Sequence, residues 1–112
     1  MKVIPFAQAQ PYEAPLHFDI EALRLQSHAM SGATSCWIGL SYYQPGGHVS
    51  LSAGAVEKFY VVLDGELVVR LESGEEATLG KFDSCRIEPN EKREMINRTN
   101  EVATLLVIVP TP

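Results

Sequence analysis

The chain has 112 residues, 46% hydrophobic and 21% charged, which is ordinary for one globular domain with its own core. The net charge of −5 excludes the broad basic face that phosphate binding needs, so we expect neither nucleic acid nor a membrane as a partner. Two cysteines, Cys36 and Cys85, in a sequence without a recognisable export signal predict a reduced, cytoplasmic protein.

Short β-branched and aromatic runs, separated by Gly, Pro, Asn or Asp, predict an all-β protein. Residues 1–20 are expected to form an N-terminal arm or edge strand, irregular over 7–17, and residues 19–24 a short helix-like piece. Strands are predicted over residues 22–26, 35–43, 56–63, 66–71, 77–79, 84–87, 94–97 and 103–109. Their spacing is typical of a sandwich or barrel.

Turn residues divide these strands. The pair Asp64-Gly65 predicts a two-residue type I′ hairpin, in which both central residues have positive φ. A slightly longer turn is predicted over residues 72–75, and residues 100–101 separate the last two strands. The run Pro45-Gly46-Gly47 predicts a break in the chain between two strands.

Two spaced glycines, Gly46 and Gly65, enclose Ser52, Gly54 and Lys58. This spacing resembles the first signature of the cupin family, which reads Gly, five residues, His-x-His, three residues, Glu, six residues, Gly. Both glycines are in register with that signature. The three metal-ligand positions between them carry Ser, Gly and Lys.

The second cupin signature ends in a ligand His, three residues and Asn, and here Asn97 follows Arg93 at that spacing. Phe82 and Glu88 depart from the signature, where the family has Gly and Pro. Asn90 takes another family Gly position, which is tolerable because Asn enters the left-handed region more readily than most residues. Three further residues fit the pattern: Asp83, Ile87 and Pro89.

The resemblance covers about residues 35–109 and implies a small single-domain cupin. The expected fold is a double-stranded β-helix, or jelly-roll barrel, with its core in residues 35–109 of one domain spanning 1–112. The resemblance also implies a homodimer, in which a second subunit covers the outer face formed by Phe59, Val61 and Leu63.

Cupin metal sites, by this resemblance, use imidazoles and one carboxylate, and all of these ligands are replaced here. Lys58 and Arg93 would repel a divalent cation by a few kcal/mol per charge at ~4 Å, for an effective dielectric of about 20. We therefore predict no metal and no cofactor. The alternative is a substitute metal site built from His48, Glu57 and Cys85, which would fit a dioxygenase-like enzyme.

The resemblance implies that the metal-ligand positions point into the barrel, and alternation along the strands then predicts which neighbouring side chains share that inward face. Six inward positions are candidate ligand-binding residues, and no catalytic residue is assigned: Ser52, Lys58, Tyr60, Arg93, Met95 and Asn97.

Two cations facing one small cavity repel each other unless a negative group intervenes. One explanation is an internal ion-pair network with Asp83, Glu91 or Glu94. Another is that the side-chain stems line the wall while the charged heads reach the mouth. The third is that the cavity binds a small anion such as a carboxylate, with Arg93 as a bidentate partner.

The sequence favours a metal-independent, cupin-like protein that binds a small anionic metabolite of unidentified structure. The alternative is a metal-free isomerase, epimerase or lyase acting on a small carboxylate or sugar acid. Some cupin sugar epimerases use His, Lys and Tyr in place of metal, and Lys58 and Tyr60 fit that scheme, but the predicted inward set contains no His. A last alternative is a filled barrel that acts through its surface.

Overall fold

The computed structural model describes residues 1–111, and most of them lie in antiparallel β-strands. A short 3-10 turn over Phe6–Gln8 precedes the first strand, and the one α-helix, α1, spans His28–Ser31 within this range. The strands are β1 (Gln10–Tyr12), β2 (His17–Gln26), β3 (Cys36–Ser52), β4 (Lys58–Asp64), β5 (Leu67–Leu71), β6 (Glu76–Leu79), β7 (Ser84–Ile87), β8 (Arg93–Ile96) and β9 (Ala103–Pro110).

The strands pair in the order β6-β5-β8-β3-β9-β4-β7, and β2 and β1 extend the sheet from β3. All of these pairs are antiparallel. The sheet curls into a nearly closed jelly-roll barrel, so the predicted all-β barrel is confirmed. No helix among residues 1–111 is long and apolar enough to cross a membrane.

The predicted break at Pro45-Gly46-Gly47 is wrong, because β3 continues through it. Residues 36–43 of β3 pair with β9, whereas residues 48–52 pair with β8. Gly46 has φ +79°, and backbone hydrogen bonds join Gly46 N–H to Asn97 O and Asn97 N–H to Gly47 O. The glycines therefore bend one long strand from one side of the barrel to the other.

Much of the N-terminal segment forms the edge strands that were one of its two predicted forms, and the irregular structure predicted over residues 7–17 is interrupted by β1. Residues 10–12 and 17–26 form strands, and the predicted helix-like piece over 19–24 lies within β2. Pairing with the open edge of β3 satisfies the backbone hydrogen-bonding groups of β2. A helix over residues 19–24 would be too short to be stable alone. A bulge between Phe18 and Ile20, where Asp19 has φ +55°, lets β2 follow the bend of β3.

Alternate side chains of the barrel strands fill one core. On β9 the buried residues are Ala103, Leu105, Val107 and Val109. The predicted inward residues of β4 and β8 are also buried, which confirms their alternation: Tyr60, Val62, Arg93 and Met95. The outer residues of β4 are only partly exposed, and the homodimer stays a prediction.

The predicted left-handed conformation of Asn90 is confirmed, with φ +63°. The type I′ turn at Asp64-Gly65 is wrong, since only Gly65, with φ +76°, has positive φ there. The predicted hairpin is also not formed, because β4 pairs with β7 and β9 whereas β5 pairs with β6 and β8, so this turn joins two strands that are not neighbours. The turn lies against the start of β9, where a Cβ on Gly65 would be 2.9 Å from Val102 O.

We predict that Gly47→Ala lowers the free energy of unfolding by about 1–3 kcal/mol, because the bend in β3 has no room for a side chain. A Cβ at this position would lie 2.6 Å from Asp19 O and 2.9 Å from Gln44 O, which are backbone atoms. Gly80→Ala is the control, since the added Cβ would meet only Asp83 Oδ2 at 3.6 Å. Urea unfolding that shows equal losses for both variants would contradict this account of the bend.

Candidate functional site

A cavity of about 230 Å³ opens between the barrel and the N-terminal strands. Core residues from β3, β4, β8 and β9 form its floor, and the segment from Tyr12 to His17 forms part of its wall. The polar and aromatic side chains that line it are Tyr12, Glu13, His17, Arg24, Trp37, Ser41, Tyr43, Lys58, Tyr60 and Arg93.

Arg93, the first residue of β8, is the buried cation of this cavity, with a relative exposure of 6%. Its Nε and Nη2 donate to Tyr60 Oη at 3.2 and 2.8 Å. Its Nη1 donates to Ser52 O at 2.7 Å and to Ser52 Oγ at 3.1 Å. Four of the five guanidinium N–H groups thus have neutral acceptors, and one on Nη2 remains for a ligand. This arrangement does not fit the predicted bidentate role of Arg93.

No carboxylate among residues 1–111 pairs with Arg93 or Lys58, although five ion pairs form elsewhere in this range. The acidic residues proposed for an internal network have other partners. Glu94 pairs with Arg70, and Glu91 accepts the backbone N–H of Glu88. Asp83 accepts the N–H of Gly80. The predicted ion-pair network around the two cations is therefore absent from the part of the chain that the structure describes.

Lys58, the first residue of β4, is partly buried in the same cavity. A Cβ on Gly54 would lie 2.9 Å from Lys58 Nζ, so the missing side chain of Gly54 provides the space for the amine. Burial lowers the pKa of Lys58 below its ordinary value, and the Arg93 cation lowers it further.

Tyr60 supplies a hydroxyl whose oxygen accepts two hydrogen bonds from Arg93. Burial raises the pKa of this phenol, and the charge and hydrogen bonds of Arg93 only partly oppose that effect. The phenol therefore stays protonated at neutral pH. Because its oxygen already accepts from Arg93, its O–H is free to donate into the cavity.

His17 is a cavity residue that sequence reasoning did not select, since it has no partner at a recognisable spacing. The pairing of β2 with β3 brings it to the mouth, where it lines the cavity with Lys58 and Arg93. Its Nδ1–H donates to Pro15 O at 2.8 Å, which leaves Nε2 with a free lone pair in the neutral ring. Burial lowers the pKa of His17, the bond to Pro15 opposes this, and the two cations lower it further.

An aromatic cluster forms the opposite side of the cavity. The rings of Tyr12 and Trp37 meet edge to face, with centroids 5.7 Å apart. The Arg24 guanidinium lies 4.7 Å from the first ring centroid and 5.0 Å from the second. Its Nε is buried without a hydrogen-bond partner. The strand pairing of β1 with β2 creates this cluster, so sequence spacing alone could not reveal it.

The structure brings together four of the six predicted ligand-binding residues: Ser52, Lys58, Tyr60 and Arg93. Met95 lies in the core, 1% exposed, with its sulfur 4.0 Å from the Tyr43 hydroxyl.

Asn97 is fully buried, and its side chain is occupied by the loop that follows β8. Its Nδ2 donates to Tyr43 O at 3.0 Å and to Glu101 O at 2.7 Å, while its Oδ1 accepts from Thr99 N at 2.9 Å and Oγ1 at 2.7 Å. Asn97 therefore stabilises the loop after β8 and does not line the cavity.

The residues at the family metal positions do not fit a metal ion. Ser52, Lys58 and Arg93 offer one weak ligand and two cations. Across residues 1–111, no group of three or more His, Cys, Asp or Glu side chains is arranged to hold a metal.

The substitute metal site is not assembled either. His48 Nδ1 lies 3.2 Å from Gly46 O, and the His48 ring stacks on the Phe18 ring. Glu57 pairs with Arg86, and Cys85 packs against the hydrophobic core.

The jelly roll, its two signatures and the cavity define a cupin in which the metal-ligand positions are occupied by a serine, a glycine, a lysine and an arginine. The family model described as Cupin domain matches residues 39–109, and the chain belongs to the cupin family. It is 42% identical over 112 residues to a protein named Beta-D-galactosidase Rv1717 from Mycobacterium tuberculosis (strain ATCC 25618 / H37Rv). That match covers 100% of this chain and 96% of the relative.

Solved structures share the fold at low sequence identity. The polyketide cyclase RemF from Streptomyces resistomycificus has a TM-score of 0.86 at 18% identity, over 98% of this chain and 79% of its own. A predicted oxalate decarboxylase from Thermotoga maritima has a TM-score of 0.80 at 18% identity, over 99% of this chain and 100% of its own. An RmlC-like cupin from Shewanella frigidimarina has a TM-score of 0.80 at 13% identity, over 100% of this chain and 92% of its own. These similarities establish the fold alone.

We expect Asn97→Ala to destabilise the protein by about 2–4 kcal/mol, because it removes a fully buried amide that donates to Tyr43 O and Glu101 O and accepts from Thr99. Chemical denaturation would measure the loss, and Asn100→Ala is the control, at an exposed neighbouring position. A loss below about 0.5 kcal/mol would show that the amide is dispensable to the loop.

Lys58→Met is expected to stabilise the unliganded protein by about 0.5–2 kcal/mol near neutral pH, because it removes a partly buried cation beside Arg93. The folded pKa of Lys58 lies below its ordinary 10.5, so the unfolded state binds more protons between the two values. The stability advantage of Lys58→Met over wild type should therefore decrease as the pH rises from the folded-state pKa of Lys58 to 10.5.

Thermal unfolding at several pH values would measure this difference. Lys92→Met is the matched control, since Lys92 is exposed and 3.6 Å from Glu72, where a surface pair contributes little. Destabilisation by Lys58→Met, or an equal effect of both variants, would show that Lys58 is not held in an unfavourable site.

Proposed function

We propose that this protein binds a small anionic molecule bearing a carboxylate in the cavity at Arg93, without a resident metal. The observation that carries the proposal is a buried guanidinium with no carboxylate partner among residues 1–111. A buried charge is costly unless it is paired, and neutral acceptors compensate it only in part. A bound carboxylate would complete the pairing.

The remaining polar groups also favour an anion. Nη2 of Arg93 has one free N–H, the Tyr60 hydroxyl has a free proton, and the Lys58 ammonium has no acidic partner in the described range. Three groups in one small cavity thus offer donors. The exposed Glu13 is the one carboxylate residue in the lining of the cavity. This donor-rich surface supports a carboxylate at Arg93, with the Tyr60 hydroxyl and Lys58 available to another polar group of the same molecule.

The size and walls of the cavity limit the ligand further. Sites for drug-sized molecules have volumes of about 300–1,000 Å³, so a cavity of about 230 Å³ suits a smaller molecule such as an organic acid or one sugar ring. The aromatic pair Tyr12 and Trp37, against which the Arg24 guanidinium lies, adds an aromatic surface to the cavity lining. A sugar acid combines a ring for that surface with a carboxylate for Arg93.

A metal-free isomerase, epimerase or lyase acting on such an acid is the enzymatic form of this proposal. The sequence alone placed no imidazole inside the barrel, and His17 supplies one at the mouth. Its lowered pKa keeps Nε2 unprotonated near neutral pH, as a general base requires. Tyr60, as a protonated phenol, is the corresponding acid.

Hydrolysis of a β-galactoside is a second candidate, favoured by the 42% identity to the protein named a β-D-galactosidase. Glycoside hydrolysis commonly uses two carboxylates about 5–10 Å apart. Within the described residues Glu13 alone contributes a carboxylate to the cavity lining, so the common arrangement does not fit. A galactosidase built on this site would need Glu13 and His17, or Tyr60, in the two roles.

A thermal-shift screen tests the binding proposal. Wild-type protein is heated with small carboxylates, sugar acids, inorganic phosphate, galactose and lactose. A carboxylate at about 100 times its dissociation constant should add about 2.7 kcal/mol, or several degrees. Arg93→Met should lose this shift while keeping its fold, which circular dichroism would confirm.

Arg98→Met is the matched control, because Arg98 is exposed and pairs with Glu76 at 2.9 Å, away from the cavity. A shift retained in Arg93→Met would contradict the role of this residue. The absence of a saturable shift with any acid would contradict the proposed function. Shifts with galactose or lactose, together with hydrolysis of p-nitrophenyl β-D-galactoside that is lost in Glu13→Gln, would favour the second candidate.

A further inference from the structure

We propose that Lys58 is a nucleophilic amine that forms an imine with the carbonyl group of a small oxo acid whose carboxylate binds at Arg93. The inference rests on the proposed anion site and adds a covalent step to it. Lys58 is the one primary amine in the lining of the cavity, and no acidic side chain among residues 1–111 pairs with it.

The amine of Lys58 occupies a confined space beside the backbone of Gly54. Gly54 leaves a space that the end of the Lys58 side chain enters, as the 2.9 Å separation between Nζ and a Cβ built at Gly54 shows. Gly54 is itself fixed, because its carbonyl accepts the N–H of Asn90 at 2.7 Å. A lysine that is held in place loses less conformational freedom when it reacts than one on an open surface.

Arg93 is fixed as well, and this gives the substrate an orientation. Its bonds to Tyr60 and Ser52 prevent the guanidinium from turning towards a ligand, so the ligand must come to the remaining N–H. Lys58 and Arg93 line both this cavity and an adjoining one that contains His17 and Ser52. A short acid held by its carboxylate at Arg93 therefore presents its other end to the wall that carries Lys58.

The chemical step is a condensation. Lys58 Nζ attacks the carbonyl carbon, so that a C–N bond forms and the carbonyl electrons move to oxygen, which takes a proton. The resulting carbinolamine loses its hydroxyl as water when the C–O bond breaks and the C=N bond forms. Amine and carbonyl give imine and water, with no oxidant or reductant. The Tyr60 hydroxyl can give a proton to that oxygen, and His17 Nε2 can take the proton released from nitrogen.

The environment of Lys58 suits a nucleophile better than a simple anion contact. An amine must be neutral to attack, and desolvation beside a second cation is the arrangement that activates catalytic lysines. Burial and the Arg93 charge both act in this direction on the Lys58 pKa. If charge alone were needed, an arginine would serve and would stay charged under the same conditions.

Borohydride trapping of the full-length protein tests the proposal. Wild type is incubated with pyruvate or acetoacetate, reduced with sodium borohydride, and analysed by intact mass and peptide mapping. We expect one reduced adduct per chain, located on Lys58. Lys58→Arg should lose this adduct, and Lys92→Arg should retain it. Acetone, which has the carbonyl but no carboxylate, should give no specific adduct at Lys58.

Lactate separates failure of the imine from failure of the anion site, because it has the carboxylate and no ketone. Thermal shifts with both lactate and pyruvate but no adduct on Lys58 would overturn the imine and leave the anion site standing. The absence of shifts with any acid would overturn the anion site, and the imine with it. Adducts spread over Lys2, Lys81 and Lys92, or retained in Lys58→Arg, would also overturn the assignment.

Discussion

The guanidinium of Arg93 is the group on which the site depends, because it joins three strands around one buried charge. It begins on β8, reaches Tyr60 on β4 and ends on Ser52 at the end of β3. All of its present acceptors are neutral, so the protein fixes the position of the cation without cancelling its charge. The cavity therefore keeps a positive centre at the place where the barrel strands meet.

This charge also explains how a cupin barrel can keep its architecture while changing its chemistry. The positions that carry imidazoles and a carboxylate in the family's metal site here carry a hydroxyl, no side chain, an amine and a guanidinium. The fold still directs these positions inward. The site thus presents two cations where the family's metal site presents metal ligands, and the missing side chain of Gly54 leaves room for Lys58.

Much of the fold could be predicted because its determinants are local. Alternating side chains on β4 and β9, and turn residues such as Gly65 and Asn90, mark strands and bends directly in the sequence. The errors came where a distant partner decided the outcome. Residues 10–12 and 17–26 form strands because β1 pairs with β2 and β2 pairs with the edge of β3. Strand β3 continues through Pro45-Gly46-Gly47 because it pairs with β9 before these residues and with β8 after them.

By itself the sequence determined the barrel, the loss of the metal ligands and the inward pair of Lys58 and Arg93, since the resemblance to the two cupin signatures, together with alternation along the strands, implies all three. Only the tertiary structure decided what surrounds that pair. It brought His17 and the ring of Tyr12 to the cavity through strand pairing, and it gave Asp83, Glu91 and Glu94 other partners. Contacts between residues distant in sequence leave no fixed spacing, so they become visible only when the chain is folded.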